Sequence, residues 1–286
     1  MRNPLGLSTF TLASPFSDAD CPGAFAKVAA LGYDVIEVCV EDPRLLSAQA
    51  VRDAAEEHGL AVSICGAFGP GRDLSTEDAD GRAAGLAYLR YCVELAAAVG
   101  SPHVAGPMYA PTGQARMLSP DDRARQRARA AESLRAAADH AGEHGVRLAL
   151  EPLNRFETDL VNTVEQGLDL CAATGRDNVG LMLDTFHQNI EEKDLGAAIR
   201  AAGDRVFQFQ VSENDRGTPG SGHIPWPEVF AALEDIGYSG QIVVESFLPT
   251  IVEIARAVSL WRPVAPSMDA LAADSLTFLR TALHNH

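Results

Sequence analysis

Lysine is nearly absent from this chain: Lys27 and Lys193 are the only two in 286 residues, which leaves almost no candidate for a lysine Schiff-base mechanism. Basic residues of either kind form no cluster, and the formal net charge of −16 argues against a polyanionic partner, because nucleic-acid binders present a basic face. The five cysteines (Cys21, Cys39, Cys65, Cys92 and Cys171) include no pair at close metal-binding or redox spacing. Their odd number and wide separation point to reduced thiols in a cytosolic protein. The N-terminus lacks the charged-then-apolar pattern of a signal peptide, and no apolar run approaches the ~20 residues of a membrane span. Together these absences predict a cytoplasmic protein with neither a membrane nor a nucleic acid as partner. Repeats, low-complexity tracts and interdomain linkers are missing too.

What is present is a regular alternation. At 47% hydrophobic and 22% charged, the chain has the composition of an ordinary globular protein. Apolar segments at Leu5–Leu12, Asp34–Val40, Ala61–Phe68, His103–Tyr109, Arg147–Leu153, Val179–Thr185, Val206–Ser212 and Gln241–Phe247 read as strands. Helical patterns fall between them, at Pro22–Leu31, Ser47–His58, Gly81–Val99, Pro120–His144, Thr163–Thr174, Asp194–Ala202 and Trp226–Ile236, and Asp269–Leu283 closes the chain. Several helical patterns stop at a glycine (Gly32, Gly59, Gly100, Gly237), which takes the left-handed cap conformation cheaply. Ser119 followed by Pro120 is a helix start of the expected kind. Strands alternating with helices imply a parallel sheet, and eight such units imply a closed (β/α)8 TIM barrel, an α/β fold occupying residues 1–286 as one domain. An open doubly wound sheet would want a glycine-rich phosphate turn after the first strand, and Thr9–Pro15 is not one. Two stretches exceed what a barrel needs: Glu213–Pro225, and Leu248–Ser267 with Trp261, which reads equally as a packing or oligomer segment and as a lid.

The chemistry sits where strands end. Leu148-Ala-Leu-Glu151-Pro152 places a carboxylate at the end of an apolar strand, and Pro152 cannot continue the ladder. An apolar run ending in a ligand-type residue returns as Gly180-Leu-Met-Leu-Asp184, Val206-Phe-Gln-Phe-Gln210 and Gln241-Ile-Val-Val-Glu245. Adjacent barrel strands bring such ends together, and three carboxylates at one mouth repel unless a cation neutralises them. Glu151, Asp184, Gln210 and Glu245 are therefore expected to be ligands of one metal, with oxygen donors suited to Mn²⁺, Mg²⁺ or Co²⁺. The alternative is a structural carboxylate network. A metal-bound ketone with a neighbouring hydroxyl has an acidified C–H between them, so Glu151 and Glu245 are also the candidate acid/base pair. Glu157, His187 and Arg216 form the next ring. His187 follows Asp184 by three residues and reads either as substrate-binding or as a helix cap; Arg216 reads as a clamp for substrate oxygens or as surface charge.

The segments Glu151-Pro-Leu-Asn-Arg-Phe-Glu157, Leu183-Asp184-Thr-Phe-His187, Ser212-Glu213-Asn214-Asp215-Arg216-Gly217 and Val244-Glu245-Ser246 resemble the sugar isomerase/epimerase superfamily of xylose-isomerase-like barrels. The ketose 3-epimerases acting on tagatose and psicose (allulose) look most similar. The resemblance implies a small sugar as substrate, Mn²⁺ or Co²⁺ as the metal, and a homo-oligomer, dimer or tetramer. It also implies that Glu151 and Glu245 serve as acid/base pair and ligands, Asp184 as a ligand, and Glu157, His187 and Arg216 as groups binding oxygens about the reacting carbon. One position departs: those epimerases resemble one another in a histidine third ligand where this chain has Gln210, and the related hydroxypyruvate isomerases place a glutamine there. Two alternatives follow, an aldose–ketose isomerase of the hydroxypyruvate type and a lyase acting on 3-keto-glycosides with a second subunit. The lack of a phosphate cradle favours a free sugar.

Overall fold

A strand apolar on both faces has to be covered on both, and Val35–Val40 and Val179–Asp184 are buried at every position. The computed structural model describes residues 2–284, the side chains at 253 and 254 excepted. Its strands are β1 (Leu5–Ser8), β2 (Val35–Val40), β3 (Ala61–Gly66), β4 (His103–Gly106), β5 (Arg147–Leu150), β6 (Val179–Asp184), β7 (Val206–Val211) and β8 (Ile242–Val244). They pair in parallel in chain order, and β8 returns to β1 through Gly6 beside Val243, so the sheet closes into the expected barrel. Around it lie α1 (Cys21–Leu31), α2 (Ala48–His58), α3 (Ala79–Val99), α4 (Pro120–Glu143), α5 (Val164–Thr174), α6 (Thr185–Glu191), α7 (Leu195–Ala202), α8 (Trp226–Asp235), α9 (Val252–Ala257) and α10 (Met268–His284). No described helix is long and apolar enough to cross a membrane.

The strands are shorter than the apolar pattern suggests, and local chemistry explains where they stop. The first ends at Ser8 because the Thr11 hydroxyl donates to the Ser8 carbonyl at 2.7 Å and draws the chain into a single 3-10 turn. The fourth ends at Gly106, whose φ of 123° leaves the extended region, and the fifth ends at Leu150, two residues ahead of Pro152. Helix α6 is unanticipated: Asp184 ends β6 and also caps a helix, its Oδ1 accepting the Phe186 N–H at 2.8 Å. The segment after β8 contains the short α9.

Most of the core lies between sheet and helices, while the barrel interior is split in character. One side of it is apolar, with Ala105, Ala149, Met182 and Phe207 in one cluster. Phe207 carries the Arg147 guanidinium 4.3 Å from its ring. The opposing residue has to be Gly180, because a Cβ there would stand 2.5 Å from the Arg205 carbonyl oxygen and 2.6 Å from the Phe207 ring. Beside this cluster the interior is polar, with Glu37, Ser63, His103, Gln208 and Gln210 all buried, where barrels of this kind usually stack branched aliphatics. Gly180→Ala is expected to overpack this cluster and cost about 1–3 kcal/mol. A calorimetric melting temperature equal to wild type would show that Phe207 does not pack against Gly180 as described.

Candidate active site

Each predicted residue arrives at the C-terminal mouth on a segment with its own anchor. Glu151 follows β5 directly. Its N–H donates to the Gly106 carbonyl at 3.1 Å, and its carbonyl accepts the Tyr109 hydroxyl at 2.8 Å. Glu245 follows β8, its N–H donating to the Val211 carbonyl at 3.1 Å. Asp184 and Gln210 are register partners on β6 and β7. His187 projects from α6, and the backbone N–H of Asn154 donates to its Nδ1 at 3.0 Å, which places the ring proton of the neutral form on Nε2. That nitrogen faces Glu151 Oε1 at 3.4 Å. The capping role that sequence allowed for His187 belongs to Asp184 instead. Asn154 also donates from its side chain to Glu157 Oε1 at 2.8 Å, so one asparagine sets two of the predicted substrate-binding groups.

Arg216 is no surface charge: it is 2% exposed. Its Nη1 donates to Asp184 Oδ2 at 2.5 Å and to Glu245 Oε2 at 2.8 Å, and its Nη2 stands 3.0 Å from His187 Nε2. The guanidinium lies between the Phe186 and Phe247 rings, at 4.0 and 5.0 Å. To aim inward, Arg216 adopts a φ of 69°, a left-handed conformation costing on the order of 1–3 kcal/mol outside glycine. The loop compensates. The Ser246 hydroxyl donates to the Arg216 carbonyl at 2.7 Å, and the buried Glu213 carboxylate accepts from the Gly220 and Ile224 N–H groups and the Trp226 indole at 2.9, 2.9 and 3.0 Å.

The electrostatics are those of an excess of buried negative charge. Burial opposes the charge on Arg216, but Asp184, Glu245, Glu157 and Glu151 more than offset it. Burial likewise raises the proton affinity of Glu151, against the lowering effect of His187. It pushes Glu245 well above the usual carboxylate range, with Asp184 and Glu151 adding to the rise. Asp184 resists burial and stays below its ordinary value through Arg216 and His187. One guanidinium against four carboxylates leaves a negative surplus that a divalent cation would meet. Ligand atoms of Glu151, Asp184 and His187 lie within 4.8 Å of one another, a possible metal site. Gln210 Oε1 is buried with no hydrogen-bond partner among the described residues, so an oxygen donor is available there as well. The residues present thus fit a hard divalent ion.

Glu151, Glu157, His187, Arg216 and Glu245 line a cavity of about 520 Å³ whose remaining wall is largely apolar, including Phe10, Phe68, Leu153 and Phe247. A family model described as a xylose isomerase-like TIM barrel matches residues 25–282. The chain belongs to that family. It is 36% identical over 269 residues to the D-psicose 3-epimerase of Agrobacterium fabrum, covering 90% of this chain and 91% of that protein. It is 32% identical over 268 residues to the L-ribulose 3-epimerase of Methylomonas sp., covering 93% and 92%. The solved structure of D-allulose 3-epimerase from Methylomonas sp. in complex with D-allulose is similar at a TM-score of 0.92 and 30% identity, over 98% of this chain and 97% of that one. These relatives are named as ketose 3-epimerases, enzymes of the isomerase class.

For a barrel of this family, sequence reading missed the polar interior beneath the mouth. Glu37 is the signal that was available: an acidic residue in mid-strand, in Val35-Ile-Glu-Val-Cys-Val40, has to be compensated. Cys39 and Cys65, far apart in sequence, are register neighbours beside it, and all five cysteines are free and buried. Burial raises Glu37 to about 7, with Gln208 and Gln210 opposing the rise. Burial also holds His103 down at about 4, against the contact with Gln208. Because the folded pKa of His103 lies below its ordinary 6.5, the fold disfavours its protonation. The stability it contributes is therefore lost as pH falls from 6.5 to about 4, by ~3 kcal/mol. Glu37 acts oppositely, its contribution being lost as pH rises from 4.5 through about 7. Melting temperatures of wild type and His103→Gln should therefore differ most near pH 7.5 and converge toward pH 4. A gap independent of pH would contradict a neutral, buried His103.

Proposed function

We propose that this chain is a divalent-metal ketose 3-epimerase acting on a free, unphosphorylated ketose, with Mn²⁺ as the metal and Co²⁺ or Mg²⁺ as substitutes. The observation that carries the reading is the pair of buried glutamates, Glu151 at the end of β5 and Glu245 at the end of β8, both with raised proton affinity in one cavity. Such a pair supports proton transfer at a carbon flanked by a carbonyl and a hydroxyl. The named activities of the relatives support a ketose as that substrate. Glu151, Asp184, Gln210 and Glu245 would hold the ion, which supplies Lewis-acid polarisation of the C2 carbonyl.

The chain's own residues do the rest. One glutamate removes the C3 proton from one face of the ketose, and the other returns a proton to the opposite face, which inverts C3. Burial makes both stronger bases than free carboxylates, which favours their taking the proton. The His187 ring and the Arg216 guanidinium, 3.0 Å apart at the mouth, bind oxygens of the substrate. Glu157, fixed by Asn154, accepts from a hydroxyl. Phe10, Phe68 and Phe247 give the cavity an apolar wall beside these groups.

Two outcomes test this reading. Purified without chelator, the protein should carry about one divalent ion per chain, and chelation should remove activity and lower the melting temperature, since a ligand of the native state stabilises it. Full activity without metal would refute the metal assignment. In D₂O, Glu151→Gln and Glu245→Gln, checked for retained metal, should each lose at least the roughly 10²–10⁴-fold typical of general acid–base catalysis. Each variant should still exchange the C3 hydrogen of one epimer only, and of opposite epimers. NMR showing deuterium at C1 would replace the epimerase by an aldose–ketose isomerase, and aglycone release from a 3-keto-glucoside would replace it by a lyase.

A further inference from the structure

A glutamine is an awkward ligand for a cation, because its amide is nearly symmetric in shape and one end of it repels positive charge. Something has to decide which end Gln210 presents. Glu37, in the middle of β2 and fully buried, takes both glutamines of β7: its Oε1 accepts from Gln210 Nε2 at 2.8 Å, and its Oε2 accepts from Gln208 Nε2. When ionised, the Glu37 carboxylate only accepts, and both amides then turn their NH₂ groups toward it. Gln210 Oε1 is thereby the end left over, and it is the buried oxygen without a partner among the described residues. Gln208 is held from its far side as well, its own Oε1 accepting from the Ser63 hydroxyl at 3.3 Å and meeting His103 Nε2.

We propose that Glu37 is a positioning residue for the metal centre, locking the Gln210 amide with its NH₂ inward and its oxygen toward the ion. This rests on the metal-site reading above. Groups holding a ligand from behind commonly govern metal affinity by 10–100-fold. The hydrogen-bond pattern also predicts which replacement fails and which succeeds. Glu37→Gln supplies one acceptor and one donor in place of two acceptors. With Gln208 held from its far side, the new NH₂ falls opposite Gln210, whose amide must turn over. Exchanging the two residue types, Glu37→Gln with Gln210→Glu, restores every pairing: the amide oxygen at 37 accepts from Gln208, its NH₂ donates to the carboxylate at 210, and a carboxylate oxygen remains for the ion.

The test is calorimetric titration of the chelator-stripped protein with MnCl₂, alongside the melting temperature of each metal-free variant. Glu37→Gln should weaken Mn²⁺ binding by about 10–100-fold. Gln210→Glu alone should also bind poorly, because two carboxylates then face each other, and the double exchange should recover most of the loss. Wild-type affinity in Glu37→Gln, or in Gln210→Glu alone, would overturn the proposal. So would a double exchange that melts like wild type without metal yet binds no better than Glu37→Gln. Asp184→Asn separates the two levels. If wild type binds and Asp184→Asn does not, the metal site stands whatever Glu37 does; if wild type itself binds no Mn²⁺, both readings fall.

Discussion

Concentrated negative charge in a buried mouth is the constraint on which the rest of this structure depends. Glu151, Glu157, Asp184 and Glu245 are all at least nine-tenths buried around Arg216. Carboxylates at that density are tolerated only with compensating positive charge or hydrogen bonding. The compensation reaches well beyond the site. Arg216 enters through a left-handed backbone, Ser246 and Glu213 hold that backbone, and Phe186 and Phe247 hold the guanidinium plane. The thirteen-residue stretch Glu213–Pro225, which looks like surplus loop in sequence, is the scaffold for one side chain. Asp184 shows the same economy, ending a strand, capping a helix and pairing with Arg216 at once.

The polar layer beneath the mouth follows from that constraint. A barrel interior filled with branched aliphatics would leave Gln210 free to present either end of its amide. Glu37, Gln208, Ser63 and His103 instead form a continuous set of hydrogen bonds across the barrel interior, beside Phe207 and its cluster. The layer is costly, since it buries a carboxylate and an imidazole whose proton affinities move in opposite directions. Those opposed shifts let the two residues offset each other as pH falls.

Legibility in the sequence divided along physical lines. Strand–helix alternation and glycine stops were enough for the closed barrel, because period and punctuation are local properties. Strand-end residues Glu151, Asp184 and Glu245 were readable because a charge ending an apolar run is anomalous by itself. Arg216 could be nominated but not placed, since its burial depends on a loop conformation that Glu213 builds from eleven residues of chain. Helix α6 was missed because its cap is also a strand residue. Glu37 was passed over because its partners lie on β7, 171 and 173 positions away, and only barrel closure brings them together.

Anomalous diffraction at the manganese edge, from crystals grown with MnCl₂ and a ketose, tests the central claim most directly. The account predicts one peak per chain at the mouth, within coordination distance of Glu151, Asp184, Glu245 and the side-chain oxygen of Gln210, with the ketose C3 between the two glutamates. A peak held by other residues, or a ketose bound in the cavity with no ion beside it, would contradict it.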